Sequence, residues 1–136
     1  MSGKYNCNHT VKEITEVLTD FKKCVSNDRF IISQNENRQK NVDFINKFIL
    51  TYKKQKKMLL NLCVNDFCYT MINSNPKFPA ATLYVFAPIV KLNNIDGYEE
   101  SVQVYIKFIL NNYAKAENTL LISFHQSESM CKHLFV

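Results

Sequence analysis

At 136 residues the chain has the length of one domain, long enough to withdraw roughly two-thirds of its unfolded surface from water. Apolar residues make up 46% and charged residues 21%, a folded globular composition rather than a disordered or fibrous one. Only two glycines occur, Gly3 and Gly97, so the glycine-spaced phosphate loops of nucleotide enzymes are excluded and no nucleotide cofactor is expected.

The formal charge of +5 is unevenly placed. Residues 1–68 hold twelve Lys/Arg against seven Asp/Glu, and residues 69–136 hold five against five. The densest basic cluster is Lys53, Lys54, Lys56 and Lys57, either a solvated helix face or a footprint for a polyanion or an acidic partner. No apolar run approaches the ~20 residues of a bilayer-spanning helix, and the N-terminus carries no apolar signal core, so a soluble, unprocessed chain is expected. The five cysteines are an odd set, which points to free thiols in a reducing cytoplasm.

In chain order, residues 1–9 read as a flexible N-terminus. Thr10 and Glu13 form a capping box ahead of Val11, Ile14, Val17, Leu18, Phe21, Cys24 and Val25, whose spacing predicts a helix over 10–26. Arg29 to Ser33 is β-prone, Gln34 to Asn41 is a polar loop, and Asn41 to Leu50 is ambiguous between helix and extended chain. Thr51 caps a predicted helix through Lys53 to Leu62 that buries Met58, Leu59 and Leu62 and exposes the lysines. Asn65 is read as the cap of a short third helix from Asp66 to Ile72, followed by a loop containing Pro76 and Pro79.

From Thr82 the period becomes two. Leu83 to Leu92 reads as a strand entering a turn at Asp96 and Gly97, and Ser101 to Leu110 as its antiparallel return. Asn118 to His125 is a third strand, with Leu120, Ile122 and Phe124 alternating with Leu121, Ser123 and His125. If the two apolar rows meet the same helices, Tyr105, Lys107, Ser123 and His125 share the opposite face. Residues 129–136 can add a short edge strand. The fold expected is a single α+β domain over 1–136, with N-terminal helices on one face of an antiparallel sheet.

The collinear stretches FKKCVSNDRFIIS, KMLLNLCVNDFCYTM, LYVFAP, VYIKF and LLISFH resemble the MqsR family of toxins from bacterial type II toxin–antitoxin systems. The best local matches are Asp66-Phe67, Pro88, Val104-Tyr105-Ile106-Lys107 and Ser123-Phe124. The resemblance spans residues 18–125 and implies a RelE-like fold, metal-free cleavage of single-stranded mRNA, and a cognate protein antitoxin that holds the toxin inactive. The family's middle-strand tyrosine and lysine fall on Tyr105 and Lys107, and its basic catalytic residue at the end of the last strand on His125. Three family positions differ: a lysine falls on Tyr69, a glutamine on Leu83 and an arginine on Ala87. The alternative is an RNA-binding or regulator-binding protein of the same fold that does not cleave.

Cleavage without metal needs a base for the 2′-hydroxyl proton, a cation for the phosphorane oxygens and an acid for the leaving 5′-oxygen. Histidine suits either proton role, which makes His125 the candidate base or acid. Lys107 is the candidate phosphate clamp and Tyr105 a hydrogen-bond donor or stacking platform. Lys53, Lys54, Lys56, Lys57 and Tyr69 are candidate RNA contacts. Cys63 with Cys68, and Cys131 with His133, are weak zinc pairs better read as buried thiols, and no metal or other cofactor is expected. Tyr84, Phe86 and Phe108 are read as core aromatics.

Overall fold

The computed structural model describes residues 5–33, 38–72, 82–111 and 118–136. Residues 34–37 of the predicted loop, the segment with Pro76 and Pro79, and the side chains of Leu120, Leu121 and Ile122 lie outside the described residues.

The first helix, α1 (Val11–Ser26), starts at the predicted capping box: the Thr10 hydroxyl accepts from the Glu13 N–H, and the Glu13 carboxylate accepts from the Thr10 N–H. Its buried stripe is Ile14, Leu18, Phe21, Cys24 and Val25. A short strand, β1 (Phe30–Ile32), leads to α2 (Gln39–Lys47), so the ambiguous stretch is mostly helical. Thr51 caps α3 (Tyr52–Leu60) through its hydroxyl, which accepts from the Lys54 N–H. The strands that follow are β2 (Phe67–Ile72), β3 (Thr82–Phe86), β4 (Ile89–Asn93), β5 (Glu99–Asn111) and β6 (Asn118–Gln126).

Scarce glycine shapes the helix ends. After both α1 and α2 the chain turns back through a left-handed residue, at Asp28 (φ 59°) and Ile49 (φ 49°), where glycine is usual. The closing hydrogen bonds run from the Arg29 N–H to the Cys24 carbonyl, 2.8 Å, and from the Leu50 N–H to the Ile45 carbonyl, 2.9 Å. Asp28 is held by α3, since its carboxylate accepts from the Tyr52 hydroxyl at 2.7 Å and pairs with the Lys56 ammonium at 2.9 Å.

The sheet order is β1-β6-β5-β3-β2, with β4 also paired to β5. All its pairs are antiparallel except β1 with β6, which is parallel, as expected for strands joined by a long, helix-containing crossover. The β3 and β4 ladders continue one register along β5, with Phe86 opposite Ile106 and Ile89 opposite Gln103. The predicted strand from Leu83 to Leu92 is thus one hairpin arm, interrupted at Ala87-Pro88 because proline has no N–H to give. Gly97 (φ 87°) closes the turn, where the Asn94 side chain accepts from the Asp96 and Tyr98 N–H groups.

The three helices cover one face. Phe21 of α1, Phe44 of α2 and Met58 and Leu59 of α3 share a core with Phe86, Val104, Ile106, Phe108 and Phe124 from the sheet. Phe21 stacks on Phe108 at 4.2 Å between centroids, and Tyr84 and Phe86 also stack on Phe108.

Four readings change. The last residues of the predicted polar loop, Gln39 to Asn41, open α2, where the Asn41 side chain is bonded to Ser33 and Phe124. The third helix expected over Asp66 to Ile72 is strand β2, entered by a 3-10 turn over Val64–Asp66. The Phe, Tyr, Thr and Ile side chains suit a strand, and pairing with β3 provides the backbone partners. A bulge between Phe67 and Tyr69 buries both Phe67 and Cys68, which hides the period of two. Residues 129–136 form no strand; instead the Gln103 side chain holds Cys131 by its N–H and carbonyl, and the Leu134 N–H donates to the Phe67 carbonyl. Residues 5–9 are tied down, because Asn6 exchanges backbone hydrogen bonds with Thr70 and His9 meets the Thr70 hydroxyl at 2.8 Å.

Candidate functional site on the sheet face opposite the helices

Successive strand residues point to opposite faces, so burying Val104, Ile106 and Phe108 under the helices turns Tyr105 and Lys107 to the other side. The β5–β6 register sets Tyr105 opposite His125 and Lys107 opposite Ser123. The four residues therefore share the face expected from the alternation. Buried Cys68, Val85 and Ala87 form its apolar floor, with Tyr69, Met71, Tyr105 and Cys131 packed around them.

An aromatic row crosses this floor. Tyr105 stacks on His125 with centroids 5.5 Å apart and planes 27° from parallel. The Tyr69 and Tyr105 hydroxyls meet at 3.2 Å, and Tyr5 sets its ring edgewise on Tyr69 at 4.7 Å. Burial pushes both the Tyr69 and Tyr105 phenols above the ordinary tyrosine range, and for Tyr69 the bond to Tyr105 adds to the rise. Both stay protonated at neutral pH and act as hydrogen-bond donors, not bases.

His125 lies 2.9 Å from the Gln126 carbonyl through Nδ1. A carbonyl only accepts, so Nδ1 carries the hydrogen in the neutral ring and Nε2 keeps the lone pair. Burial, seconded by the positive charge of Arg38, pulls the Lys107 ammonium below the usual lysine range. A partly dehydrated ammonium beside a second cation is poised for an anion that restores its lost solvation.

His125 also borders a cleft of about 210 Å³ with Gln126 and the α2 residues Lys40, Asp43, Phe44 and Lys47. Of these, Lys40 pairs with Glu128 at 2.7 Å and Lys47 with Glu100 at 3.6 Å. The sequence reading missed Arg38, Lys40, Lys47 and Tyr5. The spacing of Lys40, Asp43 and Lys47 on one helical face was the available signal for two of them, and nothing in the sequence marks Tyr5.

Lys53, Lys54, Lys56 and Lys57 do not join this site. They stand on α3, whose Met58 and Leu59 pack into the core on the helix side of the sheet. Tyr69 does join it, from β2 rather than from a helix. Leu83 and Ala87, at polar positions of the resembled family, are buried. Of the cysteines weighed as zinc ligands, Cys68 is buried, Cys131 half-buried and Cys63 exposed. Burial pushes the Cys68 thiol up to about 12. Among the described residues no three His, Cys, Asp or Glu side chains stand together as a cation cage.

No family profile, curated protein or solved structure matches the chain. Among the described residues no helix is long and apolar enough to cross a membrane.

Proposed function

We propose that the chain is a cytoplasmic endoribonuclease of the MqsR toxin type that cleaves single-stranded mRNA without a metal and is held inactive by a cognate protein antitoxin. The observation that supports this reading is the juxtaposition of His125, Tyr105 and Lys107 on the sheet face opposite the helices, by cross-strand register and ring stacking. They are the three positions onto which the family's active residues fall.

The chemistry follows from the side chains. Nε2 of neutral His125 takes the proton of a ribose 2′-hydroxyl, and the freed oxygen attacks the adjacent phosphorus. The bond to the 5′-oxygen breaks, and the imidazolium returns its proton to that oxygen. The products are a 2′,3′-cyclic phosphate and a 5′-hydroxyl. Lys107 stabilises charge on the non-bridging oxygens and Tyr105 donates a hydrogen bond to one of them. Tyr69 and Tyr5 extend the surface on which unstacked bases rest, and the ribose 2′-hydroxyl makes RNA the substrate rather than DNA.

A second reading, binding of RNA or a regulator without cleavage, draws on the aromatic row itself, since stacking needs no proton transfer. Inducing the protein in a bacterial host and mapping RNA ends separates the two. Growth arrest with new cyclic-phosphate ends supports the nuclease. Intact messages that co-purify with the protein favour binding alone, and intact messages without association overturn both.

A further inference from the structure

On the helix side of the molecule a groove of about 270 Å³ runs between α3 and β4. Leu50, Met58, Pro88, Val90 and Leu92 give it an apolar lining, Lys54, Lys57 and Lys91 also line it, and among the described residues no acidic one does.

The backbone beside it is equally distinctive. The Val104 N–H donates to the Pro88 carbonyl and the Asn94 N–H to the Tyr98 carbonyl, so in this antiparallel register Val90 and Leu92 turn their peptide groups toward β5. Those of Ile89, Lys91 and Asn93 face outward. One step earlier, at Ala87, the outward groups are used: its N–H donates to the Asp66 carbonyl at 2.8 Å, and its carbonyl accepts from His133 Nε2 at 2.7 Å. From Ile89 to Asn93 the outer edge pairs with no strand among the described residues.

We propose that this edge and groove receive an extended segment of a partner protein that carries both apolar and acidic side chains. The segment adds a strand beside β4, with backbone hydrogen bonds at Ile89, Lys91 and Asn93. On its groove-facing side apolar side chains lie over Val90 and Leu92 and a carboxylate meets Lys54 and Lys57, and on its other side a carboxylate meets Lys91. Charge complementarity selects an acidic occupant. The apolar lining and the open peptide edge select a peptide over RNA, whose phosphates would use neither. The inference does not depend on the proposed cleavage chemistry, which belongs to the opposite face.

The test presents the full chain to a displayed library of random octapeptides and then measures the selected peptides as synthetic probes. Sequences that combine acidic and apolar residues should be enriched. Their binding should weaken by about tenfold in the Lys54→Gln/Lys57→Gln/Lys91→Gln protein, three exposed side chains whose loss leaves the core intact. N-methylation of alternate peptide amides should abolish binding, and the bound peptide should slow hydrogen exchange at Ile89, Lys91 and Asn93. No enrichment, equal binding to the triple variant, or protection confined to other amides would overturn the proposal. So would a single-stranded RNA oligonucleotide that protects these same amides while no peptide does.

Discussion

Asn41 holds together the end of the sheet that carries His125, and its replacement by alanine should show how much. β1 pairs with β6 as far as Ile32 opposite Leu121, and among the described residues no strand pairs with the β6 edge at Phe124. The Asn41 side chain takes that place: its Oδ1 accepts from the Phe124 N–H at 2.8 Å, and its Nδ2 donates to the Ser33 carbonyl at 2.8 Å. Asn41 is 1% exposed and Phe124 fully buried, so water cannot replace either bond without opening the packing. A stranded buried N–H costs about 1–3 kcal/mol and a lost carbonyl partner about 1 kcal/mol, giving about 2–4 kcal/mol for Asn41→Ala. In urea this lowers the unfolding midpoint by about 1–2 M at an ordinary slope, and exchange at the Phe124 amide accelerates. Asn41→Asp keeps an acceptor but sets a buried carboxylate against the Ser33 carbonyl, so it should be as damaging at neutral pH and milder near pH ~4. A midpoint for Asn41→Ala within about 0.3 M of the parent, with unchanged Phe124 exchange, would refute this role.

Three other outcomes are open to measurement. Lys107 has a folded pKa below its unfolded one, so parent stability should climb as pH rises through that window toward the ordinary lysine value. Lys107→Met should flatten this climb and raise the neutral-pH midpoint while weakening RNA cleavage or binding, and a fall in the midpoint would contradict the desolvation argument. The bond from Tyr52, then Lys56, holds Asp28 below the usual carboxylate range, so its stabilisation is present above the unfolded value and is lost as pH falls through the folded one. Asp28→Asn should therefore shrink the acid limb of the stability profile, which an unaltered limb would disprove. Ile49 is a half-exposed, β-branched residue in the left-handed region, and Ile49→Asn should stabilise by about 0.5–1 kcal/mol, read as a thermal midpoint higher by about 2–4 °C.

The face assignments were legible because strict alternation over Val102 to Phe108 fixes which side each residue takes, and Tyr105, Lys107, Ser123 and His125 came together as that alternation requires. The Thr10 and Thr51 caps were legible for a similar local reason. β2 was not, because a bulge at Cys68 disrupts its period. Nor was α2 (Gln39–Lys47), whose buried face is only Asn41 and Phe44; Asn41 looks like a loop residue until the β6 edge it completes is known. Arg38, Lys40 and Lys47 approach the His125 side of the sheet only through that packing. The α3 lysines drew attention by density, yet density says nothing of which layer a helix joins.

The most direct test of the proposed chemistry is a timed digestion of a single-stranded RNA by the purified protein in EDTA, run beside His125→Ala and with both product ends identified. The parent should yield 2′,3′-cyclic phosphates and 5′-hydroxyls, and His125→Ala should be slower by about 10²–10⁴ while keeping the parent's unfolding midpoint. Cleavage that EDTA abolishes, 5′-phosphate products, or a folded His125→Ala protein as fast as the parent would contradict it.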